Sequence, residues 1–167
     1  QTGPTRQVVE YDHRFIGPDQ SHLTEDAKSE KKMKEIITQY SFIEDAKQSV
    51  RILLVEDNPI NRKLANFLLT QAGYSVEFAV NGREGVEKYS ADPGAYDLIF
   101  MDIQMPGMDG RSAARELRDR GFQDVPIIAM TAESMEGDRE KCLDAGMNDY
   151  ISKPIRRDVV FSMIKKW

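Results

Sequence analysis

Cysteine is almost absent: Cys142 is the one thiol in 167 residues. A single cysteine excludes an internal disulfide framework and fits a reducing compartment. No apolar run approaches the ~18 residues that a membrane span needs, and no charged, apolar and small-residue succession of a signal peptide opens the chain. A cytoplasmic protein without a membrane segment is therefore expected. An excess of basic residues is missing too, since the net charge is −5, which speaks against nucleic acid as a partner. No G-x-x-x-x-G-K-[ST] stretch occurs, so a P-loop nucleotide site is excluded. The chain opens on Gln1, as expected of a fragment or a processed form.

What is present falls into two unlike parts. Residues 1–24 hold Gly3, Pro4, Gly17 and Pro18 among polar residues and read as largely irregular. Residues 25–48 are rich in charge, and Met33, Ile36, Ile37, Tyr40 and Ile43 form a stripe at helical spacing. A helix of that length is marginal alone in water. Its stripe is expected to pack on something: the following domain, a second copy, or an absent segment. Residues 1–48 thus read as an irregular segment and a linker or dimerisation helix.

Residues 49–167 read as one domain of alternating short apolar runs and helical patterns. The runs are "RILLV", "SVEFAV", "YDLIFM", "VPIIAM" and "DYI". Asn58 before Pro59 is a helix start, with Ile60, Leu64, Phe67 and Leu68 as the apolar face and Gly73 past the end. Asn81 caps a second helix, Gly110 opens a third and Gly121 follows it. A fourth spans about 134–145 and stops at Gly146; the fifth follows Pro154 with Val160, Met163, Ile164 and Trp167 as its apolar face. Five strands alternating with five helices imply a parallel sheet covered on both faces. Right-handed crossovers leave few topologies, a flavodoxin-like order among them.

Open parallel sheets bind ligands beyond the carboxyl ends of their strands. Those ends are Glu56-Asp57, Asp102 and Thr131, with Lys153 just after the last strand. Three carboxylates brought together repel, each pair by about 4 kcal/mol at ~4 Å and an effective dielectric near ~20. One lysine is too little to offset that; a hard divalent cation such as Mg²⁺ is expected. Asp57 and Asp102 would ligate it directly, Glu56 through water, and the loop carbonyl of Gln104 as a further ligand. Thr131, the approachable N–H of Ala132, and Lys153 would hold phosphoryl oxygens. Carboxylates accept phosphoryl groups in covalent catalysis. Asp102, at the break before "MPG", is the candidate acceptor.

The motifs "LLVEDN", "DLIFMDIQMPGMDG", "IIAMTA" and "DYISKPI", in that order, make residues 51–167 resemble a two-component response-regulator receiver domain. The wording of "NPINRKLANFLL" and "CLDAGMNDYISKPI" is most similar to receivers of hybrid sensor histidine kinases. The resemblance implies a flavodoxin-like (βα)5 doubly wound fold of strand order 2-1-3-4-5. It implies Glu56 and Asp57 as the acidic pair, Asp102 as phosphoacceptor, Thr131 as switch hydroxyl, Lys153 as the phosphoryl-site lysine and Tyr150 as the switch aromatic. It further implies a phosphohistidine donor, either a kinase or a phosphotransfer domain. Phosphorylation would remodel the face of the fourth helix, fifth strand and fifth helix of the βα series. Gln104 and Glu133 would tune the phosphoryl lifetime. A homodimer through the N-terminal helix or the receiver face is the remaining partner expectation.

Plainer roles exist for single residues. Asp102 or Thr131 alone is a cap or turn residue, and Tyr150 alone a core tyrosine. Pro18 lies five residues after His13, a spacing found in sensor-kinase phosphohistidine motifs, but Arg14 replaces the acidic residue and Gly17-Pro18 breaks a helix. His13 and His22 read as loop histidines. A haloacid-dehalogenase-like phosphatase is the alternative of another class, with the same Asp, Thr, Lys and Mg²⁺. It wants a second Asp two residues after the nucleophile, where this chain has Gln104.

Overall fold

The computed structural model describes residues 20–132 and 136–167. His13, Gly17, Pro18 and Glu133 lie outside the described residues, as do the side chains of His22 and Ile43. The elements run α1 (Gln20–Ser49), β1 (Arg51–Val55), α2 (Pro59–Gln71), β2 (Ser75–Ala79) and α3 (Gly82–Ala91). A 3-10 turn (Pro93–Ala95) precedes β3 (Leu98–Asp102), followed by α4 (Gly110–Asp119), β4 (Ile127–Thr131), α5 (Glu136–Asp144), β5 (Asp149–Ser152) and α6 (Arg157–Lys166). The chain divides into two compact units, Gln1–Ser41 and Phe42–Trp167.

In the first unit, α1 starts at Gln20, so residues 20–24 are helical and not irregular as expected. Pro18 is the last helix breaker before Ser49, and nothing after it removes a backbone donor or adds glycine's entropy. Along α1, Met33, Ile36, Ile37 and Tyr40 are all exposed.

The second unit is built on one five-stranded sheet of order β2-β1-β3-β4-β5. Every pairing is parallel, with Val55 opposite Met101, Asp102 opposite Met130, and Thr131 opposite Ser152. Strand residues alternate between two apolar layers. Leu53, Val55, Ile99, Met101, Ile127 and Ala129 pack with Val86, Tyr89, Leu117 and Cys142 of α3, α4 and α5. Ile52, Leu54, Phe100, Ile128 and Met130 pack with Ala65, Leu69 and Val160 of α2 and α6. β3 and β4 are buried along their whole length, which is why they read as continuous apolar runs and not as alternations. Each such side chain contributes about 1.5–3 kcal/mol on leaving water.

Local chemistry sets the helix ends as expected. Asn58 Oδ1 accepts from the N–H groups of Ile60 and Asn61, and Asn81 Oδ1 from that of Glu84. Gly73, Gly121 and Gly146 follow α2, α4 and α5 with positive φ. Two expected faces need correction. Ile60, Leu64 and Phe67 do share a face of α2, but it is turned to solvent at 76%, 44% and 58% exposure. Ala65 and Leu69 make the buried contact instead, because the small Ala65 side chain lets the helix lie close on the sheet. On α6, Val160 is buried and Met163 and Ile164 pack on the core. Trp167 is exposed, and its Nε1 donates to Asp149 Oδ2.

Candidate functional site

The parallel sheet delivers its polar strand ends to one rim. Glu56 follows β1, Asp102 ends β3, Thr131 ends β4, and Lys153 comes just after β5. Lys153 Nζ lies 2.7 Å from Glu56 Oε2 and 2.9 Å from Asp102 Oδ2. Glu56 is fully buried and Asp102 is 3% exposed. Glu56 Oε1 accepts the N–H of Asn58 at 3.0 Å. Asp102 Oδ1 accepts the N–H of Gln104 at 3.2 Å. Glu56, Asp57 and Asp102 each offer a carboxylate oxygen within 4.8 Å of the others. Thus the expected acid cluster forms.

Burial pushes the Glu56 carboxyl up; the Lys153 hydrogen bond pulls it down, the Asp102 charge raises it again, and the balance is upward. Burial alone would lower Lys153, but its hydrogen bonds to Glu56 and Asp102 and their charges outweigh that and hold it above the usual lysine value. Lys153 is therefore a full cation at neutral pH. One ammonium facing three carboxylates leaves the rim short of positive charge.

Thr131 is buried at the end of β4, and its carbonyl accepts the Lys153 N–H at 2.7 Å, which ties the two strand ends together. Ala132 is exposed directly after it. Gln104 is exposed, and its N–H on Asp102 holds the loop beside the carboxylate. Tyr150 sits inside β5 opposite Ala129, half-buried and packed on the apolar layer under α3, α4 and α5. That packing fits the plain role of a core tyrosine.

Three supports were missed at the sequence level. Arg62 Nη1 donates to the carbonyls of Glu56 at 2.9 Å and Asp57 at 3.2 Å, clamping the acidic turn from the first turns of α2. Asp109 caps α4 through the Ser112 N–H at 2.8 Å; an Asp just before Gly110 was the available signal. Gly110 itself admits the loop: a Cβ there would stand 2.1 Å from the Asp102 carbonyl oxygen. The Gly110 N–H donates to the Ile103 carbonyl at 3.1 Å, closing the loop back onto the acceptor.

Residues 52–165 match the response regulator receiver domain family. The chain belongs to that family. It is a receiver domain of two-component signal transduction, with the fold and strand order those domains share. It is 46% identical over 129 residues to hybrid signal transduction histidine kinase B of Dictyostelium discoideum, a match covering 70% of this chain and 6% of the kinase. The chain spans 5% to 7% of the length of the first such curated relatives. Among solved structures, it resembles the receiver of a sensor histidine kinase from Pseudomonas aeruginosa PAO1, with magnesium coordinated in the active-site cleft. That likeness has a TM-score of 0.64 and 44% identity, covering 71% of this chain and 96% of the other. It also resembles a chain in the Saccharomyces cerevisiae complex of the histidine phosphotransfer protein Ypd1 with the Ssk1 receiver, at a TM-score of 0.66 and 34% identity, covering 71% and 88%.

Receivers bind Mg²⁺ in an acidic site, and this receiver has an acidic cluster at the matching rim. The phosphatase alternative is not favoured. No helix among the described residues is long and apolar enough to cross a membrane.

Proposed function

We propose that this receiver takes a phosphoryl group from a protein phosphohistidine onto Asp102. The observation that carries the reading is the Asp102 carboxylate, buried at the end of β3 with Lys153 Nζ 2.9 Å from Oδ2 inside a cluster of three acids. The attacking carboxylate oxygen forms a bond to phosphorus as the phosphorus–nitrogen bond breaks, and the imidazole leaves with the electron pair. Asp57 and Asp102 would hold Mg²⁺ directly, Glu56 through water, with the Gln104 carbonyl as a further ligand. An ion held there would supply charge neutralisation for phosphoryl oxygens. Lys153, the Thr131 hydroxyl and the Ala132 N–H take the remaining oxygen positions. Thr131 then moves with the phosphoryl group and Tyr150 follows, shifting the population of the α5-β5-α6 face.

The donor docks on the outward face of α2. Ile60, Leu64 and Phe67 begin three residues after Asp57, so this apolar stripe adjoins the acceptor rim. Phe78 of the edge strand is exposed beside α2, with the Arg62 guanidinium 5.8 Å from its ring centroid. The Met33–Tyr40 stripe of α1 pairs with a second copy, and the parent is a hybrid kinase in a cytoplasmic setting. The heptad-like spacing and the curated relatives support these readings.

Intact mass after incubation with acetyl phosphate, with and without Mg²⁺, tests the acceptor. One Mg²⁺-dependent phosphoryl adduct, absent in Asp102→Asn, is expected. An adduct that persists in Asp102→Asn overturns the assignment. Phosphotransfer from a phosphorylated donor domain should slow at least several-fold in Phe67→Ala with the acetyl phosphate rate unchanged. Light scattering should report a dimer that is lost when residues 1–48 are removed.

A further inference from the structure

A second cleft borders the acceptor. It is lined by Ile103, Gln104, Arg111, Thr131, Asp138 and Cys142. Ile103 and Gln104 are the two residues after Asp102, and Thr131 follows the residue that pairs with it. Arg111 is the second residue of α4 and is half-buried. Two arginines further along, at and just past the end of the helix, are engaged. Arg118 donates to the carbonyls of Gly146 and Phe122 and to Asn148 Oδ1. Arg120 binds Glu116 and Ser90.

No hydrogen bond or ion pair holds Arg111 among the described residues. The other charged group lining the cleft, Asp138, is already paired with a lysine. The Asp138 carboxylate is held by Lys141 at 3.2 Å, and burial pushes the Cys142 thiol up, so it stays neutral. Removing half the water from a guanidinium without giving it a partner is unfavourable unless an anion arrives.

The rim beside it needs such a charge. Lys153 is already shared between Glu56 and Asp102, while a phosphodonor brings further negative oxygens to three carboxylates.

We infer that Arg111 is a specificity residue for the phosphodonor: its guanidinium receives the oxygens of a small anionic acyl phosphate and guides it to Asp102. The inference rests on the assignment of Asp102 as the acceptor. In the step it assists, an Asp102 carboxylate oxygen bonds to phosphorus while the bond from phosphorus to the acyl oxygen breaks. The carboxylate product leaves with the electron pair. Arg111 neither gives nor takes a proton. Its planar, always-charged donor fork matches the phosphoryl oxygens better than a lysine ammonium does.

The test compares second-order rate constants for phosphorylation by acetyl phosphate in the full chain, read by intact mass, for the native protein, Arg111→Gln and Arg111→Lys. A charge-assisted hydrogen bond lost from the encounter predicts a fall of about tenfold in Arg111→Gln at low salt. Arg111→Lys should recover most of that loss, and the deficit should shrink as salt rises, since screening weakens exposed charges. Equal constants in native and Arg111→Gln protein would overturn the inference. So would a loss that salt does not change, or one that Arg111→Lys repairs no better than Arg111→Gln, since either marks a packing role. Absence of any adduct on the native protein would overturn the Asp102 assignment itself. Hence the two failures are told apart by the native control.

Discussion

Strand β5 carries an ion pair at each end, and the two pairs differ in almost everything except their chemistry. Asp149 opens the strand and is met by Lys166 and Trp167 at the surface. Lys153 follows its other end and meets Glu56 and Asp102 with little solvent around them. At the first end one half-buried acid faces one lysine, and water screens the lysine. At the second, three acids crowd one lysine. A balanced pair with its lysine in water adds a little stability, whereas a buried, unbalanced cluster holds repulsion that a ligand can relieve. A site built to accept a charged group is recognised by that imbalance.

The largest effect that would sharpen the contrast is Lys153→Met. Removing the ammonium leaves Glu56 and Asp102 buried without a partner, which should cost about 3–5 kcal/mol in urea unfolding. Phosphorylation of Asp102 should slow by roughly a hundredfold. An unchanged unfolding midpoint would break the comparison.

Gly110→Ala acts next, through geometry alone. Its new methyl group must displace the Asp102 carbonyl, at about 1–3 kcal/mol. Phosphorylation should slow with no charge removed. Asp102→Asn should do the reverse of an ordinary destabilising change: it abolishes the adduct while raising stability by about 1 kcal/mol, because one of three crowded carboxylates is gone.

The smallest effect belongs to the other end of β5. Burial pushes the Asp149 carboxyl up. The Lys166, Tyr150 N–H and Trp167 hydrogen bonds and the Lys166 charge outweigh that, and hold it below the ordinary carboxylate value. Because folding lowers it, its stability contribution is full above the unfolded value of ~3.9 and is lost as pH falls through the lower folded one. Urea titrations of native and Asp149→Asn protein should differ by at most about 1 kcal/mol at neutral pH, since Lys166 is mostly exposed. That gap should hold from neutral pH down to about 5 and close below about 4.

The acidic rim was legible in the sequence because a parallel sheet turns strand ends into neighbours without any knowledge of packing. Asn58 and Asn81 were legible as caps, since a cap depends on residues two or three positions away. The orientation of α2 was not. Ile60, Leu64 and Phe67 outvote Ala65 and Leu69 in hydrophobicity, yet closeness to the sheet selects the smaller pair. Arg62 on the acidic turn and Arg118 on the loop before β5 were equally hidden. Long flexible side chains reach backbone carbonyls that no periodicity marks. The sequence set Lys153 against the acids as a group and on a phosphoryl oxygen; the structure names its two carboxylate partners, Glu56 and Asp102, which such an oxygen must share.

Glu56 and Lys153 stand 97 residues apart along the chain and 2.7 Å apart in space. Between them lie strands β2, β3, β4 and β5, all of the sheet but β1. The site is therefore a report on complete folding. A nascent, nicked or partly unfolded chain holds each of its residues and none of their joint chemistry. The ion pair at this rim and the integrity of the sheet beneath it are one and the same property.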